Sequence, residues 1–380
     1  MSFHLLRKCF LIMLPSLTAV MLLPETAQPQ GAPYPPSPVI SDITFEWSSH
    51  ERHAPGSDNW PITWADDGHQ YTSWGDGGGF GGTNSEGRVS LGMAVVKGGA
   101  SSYEGSNHWG GEDGTHPATF GGKSYGIISI GNMLYKWVSP GSGETNYNEA
   151  RLYRSTNGGA SWTAASWAFK KQDGVILPTF LQFGRGYAGA RDQYVYVYAN
   201  HLHDSGRLDV QQPGEITLMR VPKAELMDRD AYQFFAGLND DEEPTWTSSI
   251  TKRRPVFRDR NGVGWNTSVS YNRGLRRYLL ITEHHRTSEG NFGLFDAPEP
   301  WGPWTTVAYT NGFGEPHLEA STFFWNFSNK WLSADGKDFV LVFTGVRSND
   351  SWNTVHGTFH TSSDDEDLSA SEALLNVEAH

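Results

Sequence analysis

Acidic, aromatic and imidazole side chains gather at recurrent points of this 380-residue chain. Asp58 and Asp76 bound the string DNWPITWADDGHQYTSWGD. Later stretches end in His201, His203 and Asp204, then Glu283, His284 and His285, then Arg347 and Asp350. Paired carboxyl groups act as proton donor and as base or nucleophile in glycoside hydrolysis. Indoles such as Trp60, Trp74 and Trp109 give flat apolar faces with one N–H donor, on which sugar rings stack. Imidazoles with a tyrosine can instead abstract the proton alpha to a uronic acid carboxylate, with Arg347 neutralising that acid. These residue types point to a polyhydroxylated ligand. Three readings stay open: a glycoside hydrolase, a polysaccharide lyase, and a glycan-binding protein without turnover.

Spacing narrows the acids. Asp67-Gly68 is a hairpin signal. Folding about it pairs 59–66 with 69–76 and sets Asp58 opposite or diagonal to Asp76, about 5–7 Å apart between β-carbons. Asp66 and Asp67 then lie roughly 25 Å away at ~3.3 Å per residue, as turn formers. The plainer alternative is that Asp58 and Asp76 only bond loop amides beside the glycines. The same rule applied about 272–275 brings Asn266 alongside Glu283. Asp58 and Asp76 are expected to be too close for the opposed pair of an inverting enzyme. An acid from elsewhere, Glu283 first and Asp204 next, is therefore expected to complete the catalytic set. Asn59, Trp60, Trp74, His201, His203, His284, His285 and Arg347 are the candidate substrate-binding residues. Either tryptophan can equally be core, and a lone Glu-His-His is more often plain surface.

Strands must position these groups. An apolar strand, a turn and a second, aromatic-rich strand recur five times. The second strands read QYTSWGD (70–76), MLYKWVS (133–139), YVYVYAN (194–200), RYLLITE (277–283) and FVLVFTG (339–345). Spacings of roughly 45–80 residues, one hairpin per unit, predict an all-β protein, a β-propeller of five blades. Six or seven thinner blades fit the same length. In a propeller the segments after the second strands converge on one face around the axis. Strand 43–47 is expected to complete the last blade and close the ring. Residues 155–162 (STNGGASW) fit the S-x-D-x-G-x-T-W Asp box, a turn whose small polar side chain bonds local amides. Residues 223–230 are expected to form one surface turn.

Composition agrees with short strands and many turns: 13% aromatic, 37% apolar and 43 glycines. A net charge of −13, from 29 basic and 42 acidic residues, argues against a nucleic-acid partner. Residues 1–27 read as a signal peptide, with His4, Arg7 and Lys8 ahead of an apolar run of ~15 residues that is short for a membrane span. A retained anchor is the alternative. The expectation is a secreted or periplasmic protein without stable membrane insertion. Residues 28–42 read as a Pro-rich linker unable to build a core, 43–361 as a single propeller domain and 362–380 as an acidic flexible tail. The only cysteine, Cys9, falls in the signal segment, so no disulfide or thiolate chemistry is expected. No cofactor is expected. Axial Asp and Asn can hold Ca²⁺, but no EF-like loop or His-x-x-x-His supports such a site.

The DNWPITWADDG…YTSWGDGGGF block, the YNRGLRRYLL strand and the FDAPEPWGPW turn together resemble a family long catalogued only as a domain of unknown function. Members of that family are endo-D-arabinanases with a five-bladed propeller. The resemblance runs over most of 45–350, and its PWGPW turn also occurs in other propeller carbohydrate enzymes. It implies hydrolysis of α-D-arabinofuranosyl linkages within bacterial cell-envelope arabinan. It also implies catalytic carboxylates at the DNW and GDG positions, here Asp58 and Asp76. The His-rich ends of the third and fourth units are not part of that signature.

Overall fold

In the computed structural model, residues 31–109, 120–140, 147–175, 177–202, 209–318, 321–346 and 349–363 are described. The first strand, β1 (Ile40–His53), precedes a series of antiparallel meanders. Sheet one holds β2 (Ile62–Trp64), β3 (Gln70–Gly75), β4 (Leu91–Gly99) and β5 (Ser102–Trp109). Sheet two holds β6 (Lys123–Ile130), β7 (Met133–Ser139) and β8 (Glu149–Ser155), with the short β9 (Thr163–Ala164) and β10 (Phe169–Lys170) both on β8. Sheet three runs β11 (Thr179–Gln182), β12 (Tyr194–Asn200), β13 (Gly214–Pro222), β14 (Gln233–Leu238) and β15 (Pro244–Thr247), and β16 (Pro255–Asp259) also pairs with β13. Sheet four is β17 (Ser268–Asn272), β18 (Arg277–Glu283), β19 (Phe292–Ala297) and β20 (Thr305–Thr310). Sheet five is β21 (Phe323–Phe327), β22 (Asp338–Val346) and β23 (Asn349–Thr361). The N-terminal β1 becomes its outer strand, with Ile43 opposite Phe359 and Phe45 opposite Gly357.

The apolar contacts close these sheets into a ring. Tyr71 and Met93 of sheet one pack with Ile127 and Leu134 of sheet two. Leu152, Val197 and Leu280 share one core across sheets two, three and four. Ile281 and Phe292 meet Trp325 and Phe343 of sheet five, and Trp331, Val340 and Trp352 of sheet five meet Trp60 and Trp74 of sheet one. Strands β3, β18 and β21 are buried along their whole length, so they show no alternation of buried and exposed positions. The first strands of sheets three and four touch in parallel, Leu181 beside Val269 and Gln182 beside Ser270. The fold is an all-β propeller, and its first strands line the axis.

The Pro-rich segment needs a correction. From residue 31 it is docked: the Tyr34 ring lies 5.1 Å from that of Phe257 and 5.9 Å from that of Phe295. The Ser37 hydroxyl donates to Asp296 Oδ2 (3.0 Å), Ile40 is buried, and the Thr306 N–H donates to the Pro35 carbonyl. Prolines suit this position because the segment covers the free edge of β20, where a missing N–H costs little. Residues 1–27 and 364–380 lie outside the described residues. Among those described, no helix is long and apolar enough to cross a membrane. Segment 223–230 holds a 3₁₀ turn at Lys223–Glu225, and a second begins at Arg229. The Asp box forms its local bonds, with the Ser161 N–H donating to Asn157 Oδ1 and the Trp162 indole to the Gly159 carbonyl.

Candidate active site

The first hairpin runs one residue off the expected pairing of 59–66 with 69–76, and slips by one more at its end. Ile62 faces Thr72 and Trp64 faces Gln70, but Asp58 exchanges backbone hydrogen bonds with Gly75, not Asp76. The one-residue slip falls where Asn59 adopts a left-handed backbone, φ 58°. Asp76 is also left-handed, φ 50°. Both conformations disfavour residues with a β-carbon, Asn and Asp least among them.

Lys123, the first residue of β6, joins the two acids. Its Nζ stands 3.4 Å from Asp58 Oδ1 and 2.9 Å from Asp76 Oδ2. The two oxygens that meet on this nitrogen lie within about 6.3 Å of each other, so both carboxyl groups border one small space. The Asn59 amide donates to Asp58 Oδ1 at 2.6 Å, and Arg88 reaches Asp76 Oδ2 at 3.5 Å. The Asp58 side chain is 14% exposed and that of Asp76 39%. Burial pushes the Asp58 carboxyl up; Lys123 opposes this, Asp350 and Asp76 add to it, and the result is about 7. Asp350 is likewise raised, by burial and by Asp76 against Lys123 and Arg88. Burial pulls Lys123 down, but the charges of Asp58 and Asp76 outweigh it and raise its pKa. Gly75 leaves room for this pair: a methyl group on it would displace the Asp58 carboxylate and stand 2.6 Å from Lys123 Nζ.

Tyr125, two residues along β6 from Lys123, lies close to this group. Its hydroxyl is buried and has no hydrogen-bond partner among the described residues. Burial drives its pKa well up, and Asp58, Glu283 and Asp76 are among the charges that push the same way. Its ring meets Trp265 edge-on at 4.8 Å and Phe324 at 4.9 Å.

Glu283 sits behind Trp265 and is fully buried. The Ser288 N–H donates to its Oε1 (2.7 Å) and the Thr287 hydroxyl to its Oε2 (2.8 Å), while the Trp265 indole donates to that same hydroxyl. Register in sheet four runs as expected, Ser268 opposite Ile281 and Asn272 opposite Arg277, so Asn266 falls beside Glu283. Burial raises the Glu283 carboxyl to about 7 against the bonds from Ser288, Thr287 and Asn266. In this structure the Glu283 side chain is enclosed and anchors the loop after β18.

Other candidates also move. Trp60 and Trp74 have no exposure and pack on each other and on the Phe80 and Trp352 rings, so they are core, not sugar platforms. His201 turns to Glu215, 3.1 Å away on the neighbouring strand. His284 is buried flat on the Tyr309 ring, centroids 3.8 Å apart, and burial lowers its pKa to about 4. His285 is exposed and shares a 2.6 Å contact with His284. Neither His201, His284 nor His285 contacts the Asp58 group. His203, Asp204, Glu144 and Arg347 lie outside the described residues, as does the side chain of Trp109. Among the described residues, no three His, Cys, Asp or Glu side chains are placed to hold a metal ion.

Lys123, Tyr125 and Arg88 were not singled out from sequence. Lys123 and Tyr125 lie in a glycine-flanked stretch where a bulge breaks the strand pairing, and nothing local marks them. Arg88 sits in a loop with no pattern.

Several solved structures are similar in backbone. A hydrolase described as putative, from Bacteroides ovatus, shares 12% identity over 80% of this chain and 87% of its own, with a TM-score of 0.48. An α-L-arabinofuranosidase from Fusarium graminearum shares 9% over 81% and 98%, TM-score 0.40. A family 117 glycoside hydrolase from Zobellia galactanivorans shares 8% over 83% and 90%, TM-score 0.41. No curated protein matches the chain. Residues 126–322, over half of the chain, match the family described as Domain of unknown function (DUF4185), and the chain belongs to that family.

Proposed function

We propose that this protein is an exported glycoside hydrolase that cleaves furanoside linkages of a D-arabinan-like polysaccharide with retention of anomeric configuration. The observation that carries the reading is a pair of carboxyl groups sharing one ammonium in unlike surroundings, whose contacting oxygens lie within about 6.3 Å, a bound that admits the ~5–5.5 Å of retaining enzymes. Asp58, enclosed and raised to about 7, is the proton donor. Asp76, more exposed and ion-paired to Lys123 and Arg88, is the nucleophile. Asp76 attacks the anomeric carbon while Asp58 protonates the departing glycosidic oxygen, leaving a glycosyl ester on Asp76. Asp58, now a base, takes a proton from water, and the hydroxide displaces the ester. The furanoside substrate class rests on the three motifs that resemble the endo-D-arabinanases.

Azide separates the two roles. On an activated arabinofuranoside, Asp58→Ala with azide is expected to give the glycosyl azide of retained configuration, and Asp76→Ala the inverted one. Both variants should lose at least about 10³-fold in kcat on polymer with folding intact. Near-normal hydrolysis by either variant, or glycan binding by the wild type with no reducing ends released, would refute the mechanism.

A further inference from the structure

The ends of the first strands remote from Asp58 frame a cavity of about 370 Å³. Trp64 is six residues along from Asp58, roughly 20 Å at ~3.3 Å per residue, so this cavity opens at the opposite face of the ring. Sheet one contributes Trp64, the loop after β11 contributes Phe183 and Arg185, the β17–β18 turn Tyr271 and Arg273, and the β21–β22 loop Asn329. Although the chain has a net charge of −13, none of the lining residues is Asp or Glu. Arg273 is exposed and has neither ion pair nor hydrogen-bond partner among the described residues. Arg185 is held in place by donating to the Asp66 carbonyl through Nε (3.0 Å), and it makes no ion pair there. The Trp64 indole N–H is buried without a partner. Trp64 and Tyr271 supply flat apolar rings, and the volume lies within the range of small-ligand pockets.

We propose that this cavity binds a sugar ring carrying one anionic substituent, a carboxylate or a phosphate. Arg273 and Arg185 meet the anion, and the faces of Trp64 and Tyr271 take the apolar side of the ring. The site is separate from the carboxylate cleft and does not depend on the hydrolase reading.

Calorimetric titration of the full chain with D-glucuronate, D-glucose 6-phosphate, D-glucose and inorganic phosphate tests this. Either or both anionic sugars should bind at least tenfold more tightly than glucose and than inorganic phosphate. Arg273→Gln, a substitution at an exposed turn residue, should weaken that binding tenfold or more. Asp58→Asn should leave it unchanged. Equal binding of glucose, equal binding of inorganic phosphate, indifference to Arg273→Gln or absence of any binding would each overturn the proposal. Loss of binding in Asp58→Asn would assign the sugar to the other cleft and overturn it too.

Discussion

Replacing Glu283 by Gln separates an anchoring carboxyl from a catalytic one. Burial raises this group from 4.5 to about 7. Between those values the folded protein keeps a proton that the unfolded chain has lost, so stability falls as pH rises across the window and levels off above it. At 1.36 kcal/mol per pKa unit the full loss is about 3 kcal/mol. Gln cannot ionise. Its carbonyl can accept from the Ser288 N–H, and its amide can donate to the Thr287 hydroxyl, which has a second lone pair beside the one used by Trp265. The stability of Glu283→Gln relative to wild type should therefore climb by about 3 kcal/mol between pH 4.5 and pH 8. For a domain of roughly 320 residues that is a gain of about 4 °C in the difference of melting temperatures. Asp58 titrates in both proteins and cancels in the difference. Melting curves at half-unit pH steps, with kcat measured beside them, decide the matter. A difference in stability flat to within about 1 kcal/mol would refute the burial argument. A hundredfold fall in kcat of the folded variant would return Glu283 to the chemistry.

Other consequences can be measured on the same preparation. Because Asp58 must carry a proton to act as the acid, kcat/KM should fall on the alkaline side with a midpoint near 7; a flat profile to pH 9 would reject Asp58 as donor. Lys123 lowers the Asp58 pKa, so Lys123→Met should move that limb to higher pH while cutting kcat, and a shift to lower pH would contradict the assignment. Gly75→Ala forces Asp58 away from Lys123 and should cost about 10²-fold in kcat with an unchanged circular dichroism spectrum. Lys136 is buried with an unbonded Nζ 3.9 Å from the Phe120 ring centre and 4.7 Å from that of Trp162. An unmet buried amine costs ~1–3 kcal/mol and cation–π contact returns ~0.5–2, so Lys136→Met should be neutral or up to about 1 kcal/mol more stable. Denaturation with urea checks it.

Much of the architecture is legible in the chain because it depends on patterns that repeat. Hairpin turns at 67–68 and 272–275, aromatic second strands and the closing strand near 43–47 each follow from local residue types and recur from sheet to sheet. The buried Trp60 and Trp74 show where that logic runs out. An indole beside two aspartates reads as a sugar platform, yet whether its face meets solvent or Trp352 depends on how sheet five closes on sheet one, a contact nearly 300 residues away in sequence. The docked 31–40 segment fails for the opposite reason: its prolines describe an absence of internal hydrogen bonding and say nothing of an edge strand waiting to be covered. Lys123 was hidden because it stands alone in a glycine-flanked stretch, and only the ring brings it to Asp58 and Asp76.

Register is followed faithfully at Asn266 and Glu283, where the side chains hold a loop, and it slips at Asp58, where the acids are. The slip is local and has a cost. Asn59 and Asp76 are left-handed, and so are Leu177 and Phe324, which join Tyr125 in one cluster near the acids. For Phe324 this backbone is a strong outlier, of the order of 1–2 kcal/mol, that packing must offset. A regular hairpin would set the two carboxylates by the fixed pitch of the strands. Releasing the backbone at their ends lets both oxygens settle on one ammonium with Tyr125 close by. Rules of strand alternation are thus expected to fail at such a point, since the side chains there are placed for each other and not for the sheet. Substituting Asn59 by Gly, which keeps the left-handed turn and removes the amide on Asp58, should preserve the fold and raise the midpoint of the alkaline limb. If the midpoint stays where it is in wild type, the backbone at 59, and not its side chain, is what the site needs.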